Sequence, residues 1–218
     1  YDSVSQSQWH DYVTVLDTPT RYPGIQALGV TYAVPGDQIE QHIAAVRASG
    51  RTDFNIYPEG ERPFYTSIEL IEPNNERNLR AIGYDMYSEQ VRKRAMDMSR
   101  DSGQAVLTNK VSLVQETNNN PQPGIIMYIP VYHGEPETVD ERRNSLFAYV
   151  YAPFRTYDLF NQIFMSTDAN FAFRIYDGTV MDDDHLLYQS NGYNRLTEIS
   201  TAVKSSSMFQ IHNQEWTI

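Results

Sequence analysis

The chain contains no cysteine, so neither a disulfide framework nor a thiol nucleophile can be built from it. Long apolar runs are also missing: no stretch approaches the roughly 20 residues that cross a bilayer, and no leader pattern is visible. Positive charge is scarce, with 17 Lys and Arg against 28 Asp and Glu and a formal net charge of −11. Without a basic stripe to displace counterions from a phosphate backbone, nucleic acid is excluded as a partner. The one basic cluster, Arg92-Lys93-Arg94, reads as a solvated helix face. The sequence has no HExxH, no GxSxG and no glycine-rich phosphate loop. Its five histidines, His10, His42, His133, His185 and His212, form no i, i+4 pair. Asp182, Asp183, Asp184 and His185 bring oxygens together but lack the spaced ligands and glycine of a calcium loop, so no metal is expected. Asp97 and Asp101 sit one turn apart on a helix face read as exposed, a poor place for acid–base work. The chain is therefore not expected to be an enzyme, and no cofactor is expected.

What is present is core material. Of 218 residues, 40% are hydrophobic and 12% aromatic, enough for one large or two small packed domains. The chain starts at Tyr1 and ends on EWTI, which reads as a piece of a longer protein. Residues 3–16 carry Val4, Trp9, Tyr12, Val13 and Leu16 near one stripe, so a helix is expected there, ended by Pro19. A strand over 25–34 and an amphipathic helix over 37–49 follow, stopped by Gly50. Residues 54–57 and 65–71 read as paired strands around the turn at 58–63. Residues 125–132, almost continuously apolar, read as a strand buried on both faces. A charged connection over 135–143 leads to a strand at 146–152, and a helix over 156–164 turns Leu159, Phe160 and Ile163 inward. Strands are then expected at 171–176, 186–188, 197–203 and 208–211, with Asp177-Gly178 and Asn191-Gly192 as turns. Strands and helices without βαβ alternation give an α+β class, an antiparallel sheet flanked by helices.

Residues 81–117, AIGYDMYSEQVRKRAMDMSRDSGQAVLTNKVSLVQET, hold the candidate site. Ser88 is placed to cap a helix with Glu89 in its first turn. Val91, Ala95 and Met98 form its apolar stripe, while Arg92, Lys93, Asp97 and Arg100 are expected to face water. Gly103 stops the helix. Two short strands at 104–107 and 111–115 flank the turn Thr108-Asn109-Lys110. The loop bearing Asp85, the helix and the returning strand are thus placed to wall a small pocket.

These motifs also carry a resemblance. YPGIQALG (22–29), IYPEGERPFYTSIELIEPNNERNLRAIGYD (56–85), the following helix, SGQAVLT and IPVY (129–132) are similar to the CHASE domain, over roughly residues 22–132. That family comprises extracytoplasmic sensory domains of transmembrane receptors, among them plant cytokinin receptors, bacterial histidine kinases and diguanylate cyclases. The resemblance implies a stalk helix ending within residues 1–18, a membrane-distal PAS-like ligand-binding lobe over 19–153, and a membrane-proximal PAS-like lobe over 154–218. It implies a periplasmic, extracytoplasmic location, tethering by flanking membrane helices, and a homodimer through the N-terminal helix. The competing reading of residues 3–16 is a helix capping the core.

In plant members an aspartate before the central helix holds the amino and ring N–H groups of an adenine-type ligand. Asp85 matches that position in GYDMYSE, with plain capping of the helix entry as its other reading. Leu107 matches a residue whose backbone touches the ligand, and Thr117 in VQET matches a hydroxyl-bearing position. Tyr65 and Tyr84 are candidates for stacking on a planar ring. The expected function is to sense a small, nitrogen-containing ligand and pass the signal to a cytoplasmic kinase or diguanylate cyclase. A structural or protein-binding ectodomain, or a hydrolase on an unfamiliar fold, is the alternative.

Overall fold

The computed structural model describes residues 4–22, 24–116, 121–164, 171–194, 203 and 205–218. A capping box at Ser5 and Gln8 starts α1 (Gln6–Leu16). Its stop is Asp17 in the left-handed region, and Pro19 begins the next turn, α2 (Thr18–Arg21), instead of ending the first helix. Then come β1 (Leu28–Tyr32), β2 (Val34–Pro35), α3 (Ile39–Ala48), β3 (Phe64–Tyr65), β4 (Ile68–Glu72) and α4 (Glu76–Leu79). A 3₁₀ turn at Met86–Ser88 leads into α5 (Gln90–Ser102) and β5 (Val106–Leu107). The long antiparallel pair β6 (Gly124–Tyr132) and β7 (Leu146–Arg155) is joined through α6 (Val139–Ser145), which occupies the expected charged connection. After α7 (Thr156–Ile163) come β8 (Arg174–Asp177), β9 (Leu186–Gln189), β10 (Met208–Ile211) and β11 (Gln214–Thr217). The strand expected over 197–203 lies, except for Val203, outside the described residues. Among them no helix is long and apolar enough to cross a membrane.

The class is α+β, with antiparallel ladders throughout. Five strands form one sheet in the order β4-β1-β7-β6-β5, and four form a second in the order β10-β11-β8-β9. Alternation divides the first sheet's side chains between two faces. Tyr128, Tyr149 and Tyr151 face inward with Ile68, Met86, Ala95 and Met96. Val30, Leu70 and Ala148 point the other way and receive Trp9 and Val13 of α1. Leu107 and Ile125 leave the first sheet to join Phe160, Phe173, Leu187 and Trp216 of the second core. Each large apolar side chain so buried contributes about 1.5–3 kcal/mol.

Several expectations are corrected. Residues 54–57 pair with no strand beyond a single bridge of Tyr57 to Tyr84, because Phe54 and Ile56 are drawn under α3 while β3 pairs with β2. Residues 111–115 form only one bridge, Val111 to Gly124. Glu89, not Ser88, caps α5, accepting the amides of Val91 and Arg92; Ser88 donates its hydroxyl to the Asp85 carbonyl. The inward face of α5 is Arg92, Ala95, Met96 and Ser99, an i, i+3, i+4, i+7 set. Arg92 is only 4% exposed because its guanidinium reaches the Ser112 carbonyl (2.6 Å) and Glu89 (3.2 Å), while Met98 is 46% exposed. Ile163 of α7 is exposed too. The far half of β6 is not buried on both faces, since Ile129 and Pro130 reach solvent.

Candidate functional site

Asp85 is held by backbone before its side chain acts. Gly83 sits at φ +83 with room for no side chain, since a Cβ there would lie 2.0 Å from the Asn55 carbonyl oxygen. This lets residues 83–86 thread between two neighbours. On one side Tyr57 donates to Gly83 (3.0 Å) and accepts from Asp85 (2.7 Å). On the other, Gly83 donates to Ile68 (2.8 Å), Ile68 to Tyr84 (3.0 Å) and Met86 to Thr66 (3.2 Å).

The Asp85 carboxylate is wholly buried, and its two oxygens fare differently. Oδ1 accepts from the Thr66 amide (2.9 Å), the Tyr87 amide (3.2 Å) and the Thr66 hydroxyl (3.4 Å). Among the described residues Oδ2 accepts no hydrogen bond and meets only the Arg62 guanidinium, Nη1 at 3.4 Å. Burial pushes the Asp85 pKa above the ordinary carboxylate value, against the pull of the two amides, Arg62 and the Thr66 hydroxyl. Capping and a free valence therefore coexist on one side chain.

Arg62 is the lid over that free oxygen. It donates to the carbonyls of Pro58 (3.0 Å), Glu59 (3.4 Å) and Gly60 (3.2 Å), and its guanidinium lies 5.5 Å from the centre of the Tyr65 ring. Tyr65 fastens the same loop, accepting from the Arg62 amide (3.0 Å) and donating to the Gly60 carbonyl (2.8 Å). Tyr84 packs edge-on against Tyr57 at 5.5 Å and under the Arg92 guanidinium at 5.3 Å.

Two further buried polar atoms near this core lack a hydrogen-bond partner among the described residues: Ser67 Oγ, on the residue that bridges to Asp85, and Tyr151 OH. Tyr128 and Tyr149 are satisfied, the first on Met86 Sδ (3.1 Å) and the second on the Met96 carbonyl (3.0 Å). Burial raises the Tyr151 pKa well above normal, helped by Tyr128 and Tyr57. Polar atoms left unpaired in a closed interior are costly, about 1–3 kcal/mol each, and call for an explanation.

The structure thus brings Asp85 and Tyr65 together around Arg62, while Tyr84, next to Asp85 in the chain, turns its ring to Tyr57 and Arg92. Leu107 is placed elsewhere, on β5 against the second core. Its amide donates to Asn213 Oδ1 (2.7 Å), and its carbonyl accepts from Asn213 Nδ2 (3.0 Å) and Gln214 Nε2 (2.7 Å). Thr117 lies outside the described residues. Arg62, Ser67 and Tyr151 were not singled out by sequence reasoning. The alternation of Tyr149 and Tyr151 in LFAYVYA was the available signal for one of them; Arg62 sits in what reads as a plain turn. None of the placed candidates lines either of two surface cavities, one of about 790 Å³ beside α3 and one of about 200 Å³ near Arg155.

The family described as the CHASE domain matches residues 2–188. No curated protein matches the chain. Among solved structures, the periplasmic sensory domain of the Campylobacter jejuni chemoreceptor Tlp1 is similar at 11% identity and a TM-score of 0.46, over 100% of this chain and 80% of that one. A methyl-accepting chemotaxis protein X is similar at 8% identity and a TM-score of 0.43, over 97% and 78%. Overlaps this loose say nothing of a ligand.

Proposed function

The chain belongs to the CHASE domain family of extracytoplasmic sensory domains, and from that premise we propose that it senses a small, planar, nitrogen-containing molecule at Asp85. The observation that carries the reading is the unpartnered Oδ2 of a wholly buried carboxylate, covered by one arginine at 3.4 Å. A ligand amine or ring N–H that replaces Arg62 there gains a charge-assisted hydrogen bond, worth about 1.5–3 kcal/mol. Tyr65 offers a ring beside Arg62, and Ser67 Oγ and Tyr151 OH offer further valences. Entry requires the 58–63 loop to swing, because Arg62 of that loop covers Asp85 Oδ2.

For binding to signal, affinity must differ between two states of the receptor. Loop-open and loop-closed forms supply them. The bonds from Leu107 to Asn213 and Gln214 tie the first sheet to the second, and are the proposed route of transmission. In this reading the two sheets are the membrane-distal and membrane-proximal lobes of a bacterial receptor. Flanking helices tether it, a dimer partner sits along α1, and a kinase or diguanylate cyclase lies beyond.

The test is a thermal-shift series with adenine-type compounds on the native chain and on Asp85→Asn. A ligand at a hundred times its dissociation constant stabilises by about 2.7 kcal/mol, a rise of roughly 5–10 °C for a chain of this size. The rise is expected in the native chain and largely lost in the variant. Equal rises in both overturn the site.

A further inference from the structure

A sizeable open space lies on the opposite side of the sheet from Asp85. A groove of about 790 Å³ runs between the start of α1 and the inner side of α3, within the size range of small-molecule sites. Leu70, Phe147, Val34 and Val46 give it apolar lining, and Gln38 and Gln41 supply amides. Tyr32 closes one end, its hydroxyl accepting from the Val4 amide at 3.1 Å.

Two charges of opposite sign stand in this groove with valences to spare. Glu69 is 8% exposed, and its Oε1 is taken by His42 Nε2 at 2.7 Å. Its second oxygen has no hydrogen-bond partner among the described residues. Arg51 donates from Nη1 to the backbone carbonyl of Glu69. Its remaining N–H groups meet no partner among the described residues, and no carboxylate there lies within ion-pair distance of it. Burial lowers the Arg51 pKa, against the more distant pull of Glu69, Asp53 and Glu72. The bond to the Glu69 carbonyl fixes the guanidinium next to the residue whose carboxylate carries the opposite charge.

A simple anion would feel Arg51 but be repelled by Glu69, and a simple cation the reverse. A molecule carrying both charges on neighbouring atoms satisfies each. We propose that this groove is a second ligand site, taking a small zwitterion of the α-amino-acid type. Arg51 holds its carboxylate, the free oxygen of Glu69 holds its ammonium, and its side chain lies along Leu70 and Phe147. Occupancy bridges α3 to the first residues of α1, so this site reports through a different element from the Asp85 site.

The experiment is calorimetric titration of the full chain with leucine, phenylalanine and glutamine. Leucinamide and 4-methylpentanoate each keep only one of leucine's two charges. At least one amino acid is expected to bind saturably at millimolar concentration or below. For leucine, each half-charged analogue should bind at least about tenfold more weakly, the loss of one charge-assisted bond. Arg51→Gln and Glu69→Gln should each weaken binding by a similar factor. Ala45→Trp, which fills the groove from an exposed helix position and touches neither charge, should abolish it without lowering the unliganded melting temperature. Absence of saturable binding by all three amino acids overturns the proposal. So does 4-methylpentanoate or leucinamide binding as tightly as leucine, or binding that survives Ala45→Trp but is lost in Asp85→Asn.

Discussion

Asp85 and Glu69 are both buried carboxylates near β4, and their surroundings could hardly differ more. Asp85 is sealed beneath a loop with one oxygen on two backbone amides and the other under Arg62. Glu69 opens on a groove, pairs with a histidine and keeps its other oxygen without a partner among the described residues. Residues 66–68 bond to the segment bearing Asp85, while Glu69 lies where the β1–β4 register shifts, across from Val30 and Thr31. The bulge turns Glu69 and Leu70 toward the groove, leaving Ile68 and Ile71 in the inner core. Burial alone therefore does not define a site; the access route and the spare valence do.

The contrast is sharpest at two glycines of positive φ. Gly83→Ala forces a Cβ onto the Asn55 carbonyl oxygen at 2.0 Å in the sealed region. The expected loss is roughly 3–5 kcal/mol in urea unfolding, strain and overpacking together. Gly50→Ala, at the groove, meets nothing within 4 Å, and only backbone strain of about 1–2 kcal/mol should appear. Similar losses at both positions would remove the distinction between sealed and open sides.

Next in size is Asp85 without ligand. Asp85→Ala strands the Thr66 and Tyr87 amides, an expected loss of about 2–4 kcal/mol. Asp85→Asn keeps an acceptor for them and sheds the buried charge. Because burial raises the Asp85 pKa, the folded state holds that proton more tightly than the unfolded chain. Ionisation therefore weakens folding as pH rises from the ordinary carboxylate value through the raised one. Asp85→Asn should gain on the native chain across that window. Denaturation at pH 4 and pH 7 measures it, and a relative loss for Asn at the higher pH would contradict the sign.

The smallest effect belongs to α1. Trp9 and Val13 are spent on the core, leaving Tyr12 and Val15 outward, the latter 78% exposed. Tyr12→Glu with Val15→Glu should leave stability within about 0.5 kcal/mol. The dimer proposed along α1, weak because so short a helix is marginal alone, should be lost in light scattering at high concentration. An unchanged mass distribution that includes dimer would place the contact elsewhere.

Much of this arrangement was legible in the chain itself. The extent of α1, the strands β6 and β7 and the glycine stop of α5 survive in the structure because local geometry agrees with the pattern there, although only Trp9 and Val13 of the expected α1 stripe are buried. The family motifs led to Asp85, a residue whose backbone and side chain are both engaged. Arg92 was misread because its pattern position looks solvated, yet a long side chain can tuck its charge against a carbonyl 20 residues away. Arg62 and the Glu69 groove were invisible for a related reason. Each depends on which loop closes over which strand, and no local period encodes that.

The most direct test is a crystal structure with an adenine-type compound bound. The account predicts a ligand N–H at 2.7–3.2 Å from Asp85 Oδ2, with the Arg62 guanidinium moved off that oxygen and the 58–63 loop displaced. A bound ligand with Arg62 still on Asp85, or the same compound seated in the α3 groove, would contradict it.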